Sequence, residues 1–263
     1  MSIHDYHALR IKRRRPRAST MQPPDAIALR YAAAVKRIMQ AVHKEIEASV
    51  MPLIQDIGLR QDSPALLDLG KLHLFNRIKE IMRAMGVGGM LERIGALVAR
   101  HARAELSKVI GIPLADVLPL GTIESFVRSN VAKIESLAVS ELDRVYDTIS
   151  VATTKGLRVE ELRDNIVKQF GVSENYGALL ARDQTLKLNG QISQERQTQA
   201  GITQYRWSSS KDARTRPEHA ALDGTVQLWG SPPVTSADGR RNAPGQDYQC
   251  RCVAVPIVED LLG

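Results

Sequence analysis

Both cysteines of this 263-residue chain stand two positions apart, as Cys250-Arg251-Cys252, near its C-terminal end. A histidine and an aspartate, His219 and Asp212, lie a short polar, Gly- and Pro-rich stretch upstream. Two thiols, an imidazole and a carboxylate are the side chains that bind zinc in a tetrahedron, so His219, Cys250 and Cys252, with Asp212 as a fourth ligand, form a candidate zinc set. On an extended strand Cys250 and Cys252 project to one face and Arg251 to the other, with the two thiol-bearing residues ~6.6 Å apart. Parallel Cβ vectors at that spacing disfavour a disulfide between them. They are thiols or metal ligands. The alternative to zinc is a hydrogen-bonded clasp in which Asp212 orients His219. Either form staples the end of the chain to the turn that carries His219, and small modules poor in apolar bulk often need such a staple.

Catalytic uses of the same residues are incomplete. Asp212, Arg214, Arg216 and His219 offer a base and a phosphate clamp, and Cys250 with His219 offers a thiol–imidazole pair. No Gly-rich phosphate loop, paired-carboxylate pattern or His-x-x-x-His accompanies them, so no catalytic residue and no small-molecule substrate is expected. Trp207 and Trp229 are expected in the core of the C-terminal module, although aromatic side chains can also stack on single-stranded bases.

The order of these residues is itself informative. Trp207 precedes Asp212-x-Arg214-x-Arg216-x-x-His219, followed by Leu222-Asp223-Gly224, Pro244-Gly245 and the closing Cys250-Arg251-Cys252. From roughly Leu179 to Pro256 this resembles the phage Mu F-like head morphogenesis proteins, minor capsid proteins of tailed phages. The resemblance implies a non-enzymatic minor head protein, associated with the portal inside the procapsid and acting in head morphogenesis and genome packaging or delivery. Its implied partners are the portal and the capsid or scaffold proteins. Its implied location is the virion interior, after synthesis in the host cytoplasm. Competing classes are a nuclease or toxin-like effector built on the same module, and a free DNA-binding protein.

The elements that must position these residues follow from composition and periodicity. Hydrophobic residues make up 43% of the chain and charged residues 25%, the balance of a folded protein, while only 4% are aromatic. That combination favours helices over a β-rich core. No apolar run approaches the ~20 residues of a membrane span, and the polar, basic start does not read as a secretory signal. Neither a membrane partner nor a required cofactor is expected. The net charge of +7 is unevenly spread. Arg10, Lys12, Arg13, Arg14, Arg15 and Arg17 form an acid-free block suited to DNA or to an acidic protein surface.

Residues 1–24 read as an extended basic arm ending at Pro23-Pro24. Residues 25–172 read as an elongated helical bundle that makes the assembly contact. Residues 173–263 read as the Mu F-like C-terminal module. The fold class is α+β, mostly helical with a small C-terminal α+β module. Ile27, Tyr31, Val35, Ile38, Val42 and Ile46 draw one helical stripe, with Pro52 expected to end it. Ser63-Pro64 opens a second helix, and Gly86, Gly88 and Gly89 break it before a third over 91–109. Thr122 caps a fourth. Gly171 closes a short helix over 159–170, and Ser173 caps another. Strands are expected over 203–208, 225–229 and 248–258, with one or two helical turns over 215–222.

Overall fold

The computed structural model of the protein describes residues 20–57 and 64–258. The block from Arg10 to Arg17 and the cap at Ser63 therefore lie outside the described residues. Among the described residues the fold is α+β: long helices lead into a three-stranded antiparallel sheet near the C-terminus. Helix α1 spans Asp25–Ile57, α2 Pro64–Ala84, α3 Val87–Ile110, α4 Leu120–Lys155 and α5 Val159–Gln199. Strand β1 (Gln204–Ser208), the short helix α6 (Pro217–Ala221), β2 (Val226–Leu228) and β3 (Val253–Pro256) complete the chain.

Several helix boundaries differ from the sequence expectation: α4 begins at Leu120, so Thr122 lies inside it rather than capping it. Pro52 sits inside α1, which runs on to Ile57; the missing N–H costs one hydrogen bond close to the helix end, where the loss is tolerated. Between α2 and α3 the break is confined to Met85 and Gly86, and Gly88 and Gly89 are helical. The expected boundary at Gly171 and Ser173 is absent, and α5 is continuous through it. Ser173 does not cap. Its hydroxyl lies within hydrogen-bonding distance of the Gln169 carbonyl oxygen (3.1 Å) and of the buried Glu141 carboxylate. A mid-helix serine satisfied in this way competes for no backbone N–H. Burial raises the Glu141 pKa, and the Ser173 hydroxyl opposes that rise.

The chain groups into two compact units. One contains residues 28–94 and 124–182, the other residues up to 27, 95–123 and 183 onward. A single cut at residue 172 therefore does not separate them; the chain enters each unit more than once.

In the first unit the expected stripes are core. Tyr31, Val35, Ile38, Val42 and Ile46 of α1, Leu74 and Ile78 of α2, and Ile134, Leu137, Leu142, Val145 and Ile149 of α4 are buried. The Tyr31 hydroxyl donates to Asn130 Oδ1 (3.0 Å), whose amide donates to the Phe126 carbonyl (2.8 Å). The His43 ring stacks on Phe170 at 4.0 Å and 8°.

In the second unit the C-terminal half of α5 is the floor for the sheet. Strand order is β2-β1-β3, with Arg206 opposite Val226 on one side and Val255 on the other. Tyr205 and Trp207 alternate inward while Arg206 faces out. Gln197 of α5 bridges two parts of the module: its amide donates to the Ala254 carbonyl (3.0 Å), and its Oε1 accepts from Trp229 Nε1 (3.1 Å). Asp183 accepts from the Gln249 backbone N–H (2.7 Å) and pairs with Lys187 (2.8 Å). At Gly190 the loop backbone comes so close that an added Cβ would sit 2.7 Å from the Pro244 carbonyl oxygen. Residues 95–123 pack in this same unit: Thr122 donates to Glu195 (2.7 Å), Arg196 donates to the Val117 carbonyl (2.7 Å), and Met21, Val109 and Val253 share an apolar cluster.

Two stability outcomes follow. A Gly190→Ala substitution drives a methyl into backbone that cannot swing aside, and should cost about 1–3 kcal/mol in urea unfolding. Gly121→Ala, where an added Cβ meets nothing within 4 Å, serves as the control and should not destabilise. Burial lowers the pKa of His43 from 6.5 to about 4, against the opposing charge of Glu174. Its folded pKa lies below the unfolded one, so the stability it confers is complete above the unfolded value. That stability is lost as pH falls from about 6.5 towards 4, on the order of 2–3 kcal/mol. His43→Leu should flatten this part of the stability–pH curve; an unchanged slope would show that His43 is not its source.

Candidate functional site: a histidine between two cysteines

The C-terminal module closes around His219. Proline at the first helical position starts α6 with the φ it already holds, and Arg216 before it is extended. This single turn aims His219 inward, where the ring is 2% exposed. On its other side the chain turns sharply before the cysteines: Gln249 has φ 54°, a left-handed conformation uncommon for a residue with a Cβ. The Cys250 N–H returns to the Asp247 carbonyl (3.1 Å). Cys250 and Cys252 therefore precede β3 rather than lying in it, contrary to the strand expected over 248–258. Both side chains nevertheless face His219.

His219 Nδ1 lies 3.5 Å from the sulfur of Cys250 and 3.5 Å from that of Cys252. The other ring nitrogen, Nε2, donates to Asp247 Oδ2 at 3.1 Å. Asp247 is itself held by the Asn242 amide, which donates to Oδ1 at 2.7 Å. Aromatic and small side chains seal the cluster: Trp207 meets the His219 ring edge-on at 5.6 Å, and Tyr205 and Trp229 pack 4.2 Å apart. Trp207, Trp229, Ala243, Cys250, Cys252 and Ala254 form one buried cluster with Tyr205. Both tryptophans are thus core residues.

Hydrogen bonding from Cys252, reinforced by His219 and the Gly245 backbone, pulls the Cys250 thiol well below its usual range. Hydrogen bonding to Cys250, together with burial, pushes the Cys252 thiol up. The hydrogen bond with Cys250 raises His219.

Asp212 does not join the cluster. Its carboxylate is at the surface, taken by Arg251 (2.5 Å) and facing Arg214 (3.7 Å), and it accepts the Arg214 backbone N–H (3.1 Å). The hydrogen bond from Arg251 holds it below the usual carboxylate range. The residue that orients His219 is Asp247, and its only signal in the sequence is a carboxylate placed between Pro244-Gly245 and Cys250.

The remaining motif residues have local structural partners. Asp223 accepts the Ser209 backbone N–H (2.8 Å) and pairs with Lys211 (3.3 Å), while the Gly224 N–H donates to the Trp207 carbonyl (2.8 Å). Arg216 donates to the Tyr248 carbonyl (2.7 Å). Gly245, following Pro244, has φ 84° and lies against the Leu186 carbonyl, 3.1 Å from where a Cβ would stand. Arg216 and Arg251 thus each hold another part of the module, the Tyr248 carbonyl and Asp212.

Residues 143–255 match the family model described as phage Mu protein F like protein. An uncharacterized protein of Haemophilus influenzae is 31% identical over 138 residues, covering 52% of this chain and 30% of the relative. The chain thus spans less than a third of that relative's length. No solved structure matches the chain. The matched residues 143–255 hold the His219–Cys250–Cys252 cluster and every motif residue from Trp207 to Arg251.

Proposed function

We propose that this chain is a minor head protein of a tailed phage, bound to the portal inside the procapsid and acting in head morphogenesis and genome packaging or delivery. The family match over 143–255 carries the reading. The site supports it, because the family-like residues are engaged in holding the module closed and His219 and both cysteines are buried. No helix among the described residues is long and apolar enough to cross a membrane, which suits a protein of the capsid interior. Its partners are the portal and the capsid or scaffold proteins.

The assembly contact belongs to surface other than the apolar stripes of α1, α2 and α4, which are consumed within their own unit. Deleting the helical region is not a clean test, since residues 95–123 pack in the same unit as the C-terminal module. The full chain is the appropriate probe. Tagged and expressed during infection, it should co-purify with portal and capsid proteins and appear in isolated procapsids. Recovery of the chain from infected cells free of every phage structural protein would overturn the reading.

The block Arg10, Lys12, Arg13, Arg14, Arg15 and Arg17 is the proposed contact to DNA or to an acidic surface of the head lumen. If each cation meets one phosphate of duplex DNA, the slope of log K against log salt is about −5, without sequence preference. Replacing all six with Gln should abolish that slope and lower phage yield. Unchanged affinity and yield would leave the block without a role in binding.

A further inference from the structure

We propose that His219, Cys250 and Cys252 bind one zinc ion, with Nδ1 and the two sulfurs as ligands, and that this ion locks the C-terminal module. This goes beyond the head-protein reading and is independent of it.

Geometry makes the first argument. The three ligand atoms lie within 4.8 Å of one another. For Zn–S bonds of about 2.3 Å and Zn–N bonds of about 2.05 Å, a tetrahedron sets the sulfur–nitrogen edge at about 3.6 Å. Both observed edges are 3.5 Å. A hydrogen bond does not call for that symmetry. An imidazole nitrogen carries one proton or one lone pair, directed in the ring plane, so it serves one sulfur well and a second poorly. A cation between all three atoms satisfies both edges at once.

The surroundings make the second argument. Metal-bound histidines characteristically donate their other ring N–H to a carboxylate, which fixes the tautomer and turns the free lone pair towards the metal. His219 does this with Asp247, and Asn242 braces Asp247 in turn. The hydrogen bond to Asp247 therefore leaves the Nδ1 lone pair directed at the sulfurs.

Charge makes the third. The three groups are 2%, 3% and 5% exposed, and an isolated buried thiolate is costly there. Two thiolates, a neutral imidazole and Zn²⁺ sum to zero, so the ion removes the penalty. Soft sulfur and imidazole ligands in a tetrahedral arrangement select zinc over magnesium or calcium. Asp212, engaged by Arg251 and Arg214, does not supply a fourth ligand.

The test uses the purified full chain. After dialysis against metal-free buffer, elemental analysis should find about one zinc per chain, and Co²⁺ in its place should give the sulfur-to-cobalt charge-transfer absorption of thiolate ligation. Cys250→Ser, Cys252→Ser and His219→Ala should lose the ion, whereas Asp212→Asn should keep it. Because the first three variants could fail to fold, His219→Cys supplies a complementary readout: a third thiolate should retain zinc and restore the melting temperature that His219→Ala lowers. Asp247→Asn should weaken zinc binding by about 10- to 100-fold. A chelator should lower the melting temperature of the wild type. Wild-type protein that takes up no zinc or cobalt, shows no thiolate–cobalt band, or melts identically with and without chelator would overturn the proposal. So would a Cys250→Ser, Cys252→Ser double variant that binds zinc as well as the wild type.

Discussion

One imidazole edge held between two sulfurs is the constraint on which the C-terminal module depends. The sheet has three short strands, and β2 is largely exposed, so backbone pairing alone fixes little of the space between them. His219 joins parts of the chain that the sheet does not connect. The turn after β1 presents it, the residues before β3 supply the sulfurs, and the long loop between β2 and β3 supplies Asp247. A buried polar group is costly when its atoms lack partners. That cost explains why both ring nitrogens are engaged and why the loop bearing Asp247 must approach to hydrogen-bonding distance.

The loop can make that approach because of helix α5. Its C-terminal half presents a flat spot at Gly190, onto which the Pro244–Gly245 backbone settles, and polar groups on either side at Asp183 and Gln197. Asp183 holds the backbone at Gln249, directly before the first cysteine, and Gln197 holds the carbonyl of Ala254, two residues after the second. The cysteine segment is thus pinned at both ends by one rigid helix. A rigid element on one side and a short turn on the other position a site more precisely than two loops would. The module is accordingly not a detachable tail. Its sheet, the end of α5 and residues 95–123 share a unit.

The helical stripes were legible because burial imposes a 3.6-residue period on any helix with one buried face, and α1 and α4 keep that period over many turns. The continuity of α5 was not legible. Gly171 and Ser173 carry the local chemistry of a helix end, and only a distant partner, Glu141, turns the Ser173 hydroxyl inward instead. The same division runs through the site. His219, Cys250 and Cys252 could be grouped by residue type alone, since few other side chains suit such a cluster. Asp212 and Asp247 could not be told apart, because both are aspartates in a polar turn and only the folded path shows which one His219 meets. Arg251, flanked by the cysteines, decided the matter: pointing outward, it takes Asp212 for itself. Gln197 left no local trace, being one amide near the end of a helix rich in polar residues.

The family-like motif can now be read as mechanics. Its glycines mark backbone that must turn left-handed or pass close to a helix, its arginines cap carbonyls or neutralise the one exposed aspartate, and its tryptophan closes over the histidine. None of these duties requires a substrate. His219, Cys250 and Cys252 are buried against one another, whereas Asp212, Arg214 and Arg216 lie at the surface. Such a contact locks the small module. Its stability then rests on a few directional contacts at the centre of the module rather than on a large apolar core, which a segment of this size and composition cannot build.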